Sequence, residues 1–134
     1  MLMLSCEHST LRVLVVDDHE LTRLTLQLAF SSQKNIQVVG LASNGKEAVE
    51  MVQSCYPDVI VLDLQMPVMD GWSASRKIKD ISPKTQIIAY SSVEEKYFQE
   101  TKAMARVDAF CKKDVPTNEL VGLINQLGEP ETNS

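Results

Sequence analysis

Val59-Ile60-Val61-Leu62-Asp63-Leu64-Gln65-Met66-Pro67 is the stretch on which the fold turns. Four consecutive β-formers with no polar residue among them read as a strand buried on both faces, the pattern of a parallel sheet. The run ends on a carboxylate, Asp63, and breaks into a turn at Met66-Pro67. A carboxylate at the tip of a buried strand is rigidly held and faces a loop crevice, which suits a reacting group. The plainer alternative is an Asp that caps the following helix, a common use of that residue.

Upstream, Leu11 to Val16 form a first strand that runs into Asp17-Asp18-His19. A helix follows from Glu20 to about Phe30, with Leu21, Leu24 and Leu28 at i, i+3, i+7 as its expected apolar face. Ile36 to Leu41 are a second strand. Ser43-Asn44-Gly45 opens a helix carrying Ala48, Met51, Val52 and Cys55 at the same spacing, and Pro57 stops it. Downstream, a loop with Pro67 and Gly71 leads to a helix from about Trp72 to Asp80. Gln86 to Tyr90 are a fourth strand, finishing on Ser91-Ser92. Ser92 and Glu95 have capping-box spacing for a helix to about Ala105. Its apolar stripe (Tyr97, Phe98, Met104, Ala105) is thin, so it is expected to be loosely held. Asp108 to Lys112 are a short last strand before Lys113-Asp114, and Leu120, Leu123, Ile124 and Leu127 mark the last helix. Residues 11–127 are thus expected as one domain, after a loose extension over 1–10 and before a tail or linker start over 128–134.

Alternating strands and helices with short connections imply right-handed βαβ units around a parallel sheet with helices on both faces. In such doubly wound α/β folds, ligands bind at the carboxyl ends of the strands. Asp17 and Asp18 stand at the end of the first strand, Asp63 of the third, Ser91 of the fourth and Lys113 of the fifth. Singly, Ser91 reads more simply as a helix cap and Lys113 as a surface lysine. Together at one edge they are hard to explain as solvation.

Composition narrows the classes. The chain has 134 residues, 44% of them hydrophobic, enough for a core without metals or staples. A formal net charge of −5 disfavours direct nucleic-acid binding by this chain. Cys6, Cys55 and Cys111 are odd in number and have no CxxC spacing, as in a reduced cytoplasmic protein. No segment approaches the roughly 18 apolar residues of a membrane span.

Three carboxylates converging in a crevice repel one another unless some are protonated or a cation sits among them. Hard oxygen donors, with no His or Cys pair at ligand spacing, favour Mg2+ over zinc. A lysine and a hydroxyl beside them suit a phosphoryl group, and the chemistry supported is attack of a carboxylate oxygen on phosphorus.

At these residues the chain resembles the response-regulator receiver domains of two-component signalling, over about 11–127. The resemblance rests on Asp17-Asp18, on Asp63-Leu64-Gln65-Met66-Pro67-Val68-Met69-Asp70-Gly71, on Ser91 and on Lys113. It implies a flavodoxin-like (βα)5 fold with strand order 2-1-3-4-5. It also implies a non-enzymatic signalling phosphoacceptor, Asp63, serving a histidine kinase or phosphotransfer protein. Mg2+ would be bound by Asp18, Asp63 and the backbone carbonyl of Gln65, with Asp17 acting through water. Ser91 and Lys113 would contact the phosphoryl group. Movement of Ser91 would couple to Phe110 and remodel the surface of the fourth helix, fifth strand and last helix. That surface, or the first and last helices, could pair two copies. The tail resembles receivers that precede a helix-turn-helix DNA-binding domain, which would make transcription regulation the output; a stand-alone receiver is the other possibility.

Three departures from the family pattern carry expectations. Lys113 precedes Asp114 where proline is common, so the bond is expected trans, a cis bond without proline costing about 2.5–4 kcal/mol. Arg106 replaces a usual glycine, removing easy access to positive φ. Val93, apolar and two residues beyond Ser91, is expected to hinder hydrolysis and give a phosphoryl lifetime of minutes or longer. Rival readings fit less well. A phosphatase of the haloacid-dehalogenase type wants Asp-x-Asp after the first strand, where this chain has Asp17-Asp18-His19 and no cap domain. A flavodoxin-like cofactor binder wants a phosphate loop where this chain has two carboxylates. A degenerate receiver, used only for binding, would lack the acceptor or the lysine.

Overall fold

The computed structural model describes residues 10–66, 69–92 and 106–128. In chain order they form β1 (Leu11–Val16), α1 (Glu20–Ser31), β2 (Ile36–Ala42), α2 (Gly45–Cys55), β3 (Val59–Leu62), α3 (Gly71–Ile81), β4 (Gln86–Ser91), β5 (Ala109–Lys112) and α4 (Thr117–Gly128). The strands pair in the order β2-β1-β3-β4-β5, every ladder parallel. This is the doubly wound α/β sheet that the alternation implies. The helix expected from Ser92 to about Ala105, Val93 and the segment 1–9 lie outside the described residues, as does the tail beyond Gly128.

Side chains alternate across each strand, so the sheet feeds two cores. On one face Val13, Val15, Val59, Val61, Ile88 and Tyr90 meet Leu26 and Phe30 of α1 and Leu120, Val121 and Ile124 of α4. On the other, Leu14, Val16, Ile60, Leu62 and Ile87 meet Ala48 and Val52 of α2 and Ala74 and Ile78 of α3. All four residues of β3 are buried, as a central strand covered on both sides must be.

The helix ends have identifiable causes. The Asn44 side chain caps α2 by accepting from Glu47 N at 2.9 Å. Tyr56, the sole non-glycine described residue at positive φ (46°), turns the chain left-handed ahead of Pro57. Asp70 caps α3 through Ser73 N at 2.8 Å. The capping role considered for Asp63 therefore falls to Asp70.

One expected face is wrong. Leu21, Leu24 and Leu28 are 76%, 45% and 75% exposed, and the core side of α1 is Leu26 and Phe30. α1 carries two apolar stripes, and periodicity alone does not say which one meets the sheet. The bulk of Phe30, one turn beyond Leu26, fills the space over β1 and β3.

β5 is short and is held at its start by polar contacts. The Lys79 ammonium donates to Thr85 O at 2.7 Å and pairs with Asp108 Oδ2 at 2.8 Å. Asp108 Oδ2 also accepts from Ile87 N at 2.8 Å, and Arg106 N donates to Ser75 Oγ at 3.0 Å. Arg106 thus enters β5 without positive φ. The Lys113–Asp114 bond is trans, as is every peptide bond of the described residues.

Removing Asp108 strands a nearly buried ammonium. We expect Asp108→Ala to lower the unfolding free energy by about 2–4 kcal/mol in urea titration. Lys79→Met in the same background should restore at least half of the loss. A double variant no more stable than Asp108→Ala would show that the pair is not what anchors β5.

Candidate functional site

The parallel ladders run one residue past the ends of three strands. Asp17 N donates to Ala42 O at 3.0 Å, Asp63 N to Val16 O at 2.9 Å and Lys113 N to Ser91 O at 2.9 Å. The backbones of two carboxylates and one lysine are thereby fixed by the sheet itself. The loop beyond Asp63 folds tightly over the strand tip. A Cβ on Gly71 would stand 2.3 Å from Asp63 O and 2.5 Å from Leu64 Cα, so only glycine lets α3 begin there. Gly71 N donates to Leu64 O at 3.1 Å, closing the turn.

The side chains converge. Asp17 and Asp63 are 1% and 3% exposed, while Asp18 and His19 form the open rim. Lys113 Nζ lies 2.7 Å from Asp17 Oδ2 and 3.4 Å from Asp63 Oδ2, with the Tyr90 ring centre 5.8 Å away. Asp63 Oδ1 accepts from Gln65 N at 3.0 Å, placing the Gln65 backbone against the acceptor. Asp17 Oδ1 accepts from His19 N at 2.9 Å, and its carbonyl accepts from the Arg23 guanidinium at 2.7 Å. Ser91 is fully buried at the end of β4, opposite Lys112 in register. Phe110, opposite Ala89 in register, packs with Trp72 on the small cluster of Leu64 and Ala89.

The electrostatics follow from burial. Desolvation pushes the Asp63 carboxyl from the ordinary 3.8 up to about 6. The Gln65 N–H and the Lys113 charge oppose that shift, and Asp17 adds to it. Burial also works against the Lys113 charge, but Asp17 and Asp63 outweigh it and raise the ammonium's pKa. The lysine is therefore a permanent cation in the crevice.

One positive side chain does not balance three carboxylates. Among the described residues, Asp17 Oδ2 accepts no hydrogen bond of good geometry and has only the Lys113 ion pair. One ligand atom each from Asp17, Asp18, His19 and Asp63 lie within 4.8 Å of one another. A crowded, oxygen-rich donor set with excess negative charge fits a hard divalent cation.

All the expected strand-end residues thus lie at one edge of the sheet. His19 and Arg23 were not foreseen as part of the site. For His19 the signal was its adjacency to Asp17-Asp18; for Arg23, one helical turn inside α1, the sequence gives none.

Residues 13–125 match the family model of the response regulator receiver domain. The chain belongs to that family. The response regulator protein VraR of Staphylococcus aureus is 32% identical over 92% of this chain. YhcZ of Bacillus subtilis, an uncharacterized transcriptional regulatory protein, is 34% identical over 83%. The response regulator domain of Thermotoga maritima CheB superposes with a TM-score of 0.81 at 32% identity, covering 91% of this chain and 98% of that one. A protein-glutamate methylesterase/protein-glutamine glutaminase of Methanosarcina acetivorans is 43% identical over 62% of this chain. This receiver spans 59%, 52% and 24% of the lengths of VraR, YhcZ and the methylesterase.

The folded receiver holds the Asp63 proton to about pH 6, whereas an unfolded chain releases it near 3.8. The stabilising contribution of this group is thus present below about pH 4 and is lost as pH rises through 6. In metal-free buffer, Asp63→Asn should raise the unfolding free energy by about 2–3 kcal/mol at pH 7.5 and by much less at pH 4. Equal effects at both pH values would contradict this account.

Proposed function

We propose that this receiver is a phosphorylation-activated switch in which Asp63 takes a phosphoryl group from the phosphohistidine of a sensor kinase or phosphotransfer protein. The observation that carries the reading is a buried carboxylate at the tip of β3 with Lys113 and two further carboxylates around it. An Asp63 oxygen attacks phosphorus, the P–N bond to the donor imidazole breaks, and its electron pair returns to that nitrogen. Asp18, Asp63 and the Gln65 carbonyl would hold Mg2+, with Asp17 joined through water. When bound, that ion supplies positive charge to the phosphoryl oxygens. Lys113, already poised between Asp17 and Asp63, pairs with a phosphoryl oxygen once Asp63 carries the acyl phosphate. Ser91 donates its hydroxyl to the same group, and Phe110 follows Ser91 inward.

The altered surface would include β5 and α4, where Phe110, Lys112, Val115, Glu119 and Leu123 line an open cleft. An attached output domain, or a second copy docking there or across α1 and α4, would read the change. The name of YhcZ, a transcriptional regulatory protein, and the part of the lengths of YhcZ and VraR that this chain spans favour a transcriptional output from a domain outside residues 13–125. This fits a protein working in the cytoplasm, where kinase and nucleoid are accessible. No helix of the described residues is long and apolar enough to cross a membrane.

The exposed leucines of α1 suit the phosphodonor. Leu21, Thr22 and Thr25 share a groove with Tyr90 and Lys113, so an apolar helical partner laid along Leu21, Leu24 and Leu28 would reach the crevice.

Intact-mass spectrometry after incubation with acetyl phosphate provides the test. We expect one added phosphoryl group that needs Mg2+, disappears with EDTA and is absent in Asp63→Asn. Lys113→Ala should slow its formation by roughly 100-fold or more, as loss of a charge aimed at the transferring group does elsewhere. No adduct on the wild-type chain under any of these conditions would reduce the domain to a phosphorylation-independent binding module.

A further inference from the structure

Alternation along the strands sends one set of side chains to the face beneath α1 and α4. Val15, Val61 and Cys111 lie in that core, and Asp17, Asp63 and Lys113 each follow one of them by two residues. Lys113 continues β5, the edge strand, whereas the carboxylates it pairs with continue β1 and β3. β4 stands between them. Neighbouring strands are about 4.8 Å apart, so two spacings, about 10 Å, separate the Lys113 backbone from that of Asp63. The lysine side chain therefore has to cross β4, and the residue that the end of β4 presents on this face is Tyr90.

Tyr90 suits that crossing. Its side chain is buried, and its ring centre lies 5.8 Å from Lys113 Nζ, within reach of cation–π attraction. Burial pushes the phenol up, so the ring stays neutral beside the ammonium. Toward solvent, Tyr90 and Lys113 share a groove with Leu21, Thr22, Thr25 and Leu26 of α1. That groove is the open direction into which an unsupported lysine would swing.

We infer that Tyr90 is a positioning residue for phosphoryl transfer: its ring supports the Lys113 stem across β4 and keeps the ammonium over Asp63 rather than in the α1 groove. The inference rests on the role of Lys113 in the proposed function. A lysine is a point charge on a flexible four-carbon stem, and a charge helps the transition state most when it is aimed beforehand. In this role Tyr90 acts through Lys113 and not on the phosphoryl group itself.

The test uses the full chain with Tyr90→Leu and Tyr90→Phe, each with Lys113 in place and with Lys113→Ala. The initial rate of acetyl phosphate labelling in Mg2+ is read by intact mass. With Lys113 in place, Tyr90→Leu should slow labelling about fivefold or more, and Tyr90→Phe, which keeps the ring, should recover most of that rate. In the Lys113→Ala chain the same Tyr90→Leu change should matter by less than about twofold. Nuclear Overhauser contacts between the Tyr90 ring protons and the Lys113 side-chain methylenes of wild type check the arrangement without a core substitution. The inference is overturned if Tyr90→Leu does not slow labelling or slows it equally in both backgrounds. It is equally overturned if Tyr90→Phe is as slow as Tyr90→Leu, or if those contacts are missing from wild type. In each of these cases Mg2+-dependent labelling of wild type leaves the proposed function standing. A wild-type chain that gains no phosphoryl group overturns both.

Discussion

Everything at the crevice depends on three backbone hydrogen bonds that continue the sheet past its strands, into Asp17, Asp63 and Lys113. Loop residues ordinarily sample several conformations. Here a loop's chemistry is given a strand's rigidity, and the cost appears as desolvated carboxylates. The Asp63 carboxyl is pushed to about 6 because its position is dictated by β3 rather than by solvent. Lys113, placed by β5, offsets part of that penalty. The fold and the reactivity are therefore not separable: the buried Val59–Leu62 run fixes where the charge must sit.

The same dependence reaches the opposite end of the sheet. β5 has four residues, all paired with β4, and polar contacts at its entrance add to that pairing. The Lys79–Asp108 pair and the Ser75–Arg106 contact tie its entrance to α3, the helix that Gly71 starts against Asp63. Asp63 and Lys113 are thus linked through one helix as well as through the strands.

Much of this was legible in the residues. β3 announced itself by four apolar β-formers, and the alternation of elements gave a parallel sheet with its polar residues at one edge. The dipeptide Asp70-Gly71 was readable as part of a motif, but its physical content, a cap and a steric gap, needed coordinates. The face of α1 was misread because Leu21, Leu24 and Leu28 form a periodic stripe as regular as that of Leu26 and Phe30. Hydrophobic periodicity identifies a helix but does not choose between two stripes. His19 was passed over for a similar reason: a lone histidine has no ligand spacing in sequence, and only the turn after β1 folds its ring back onto its neighbours.

The close seat of α3 on the strand tip has an optical side. The chain contains a single tryptophan, Trp72, the second residue of that helix, packed with Phe110 on Leu64 and Ala89. Its side chain and that of Phe110 pack on the same small cluster, whose Leu64 directly follows Asp63. A rearrangement of that cluster changes the packing and solvent exposure of this one chromophore. The emission spectrum of the unlabelled protein is consequently a native gauge of the crevice, with no second tryptophan to dilute the signal.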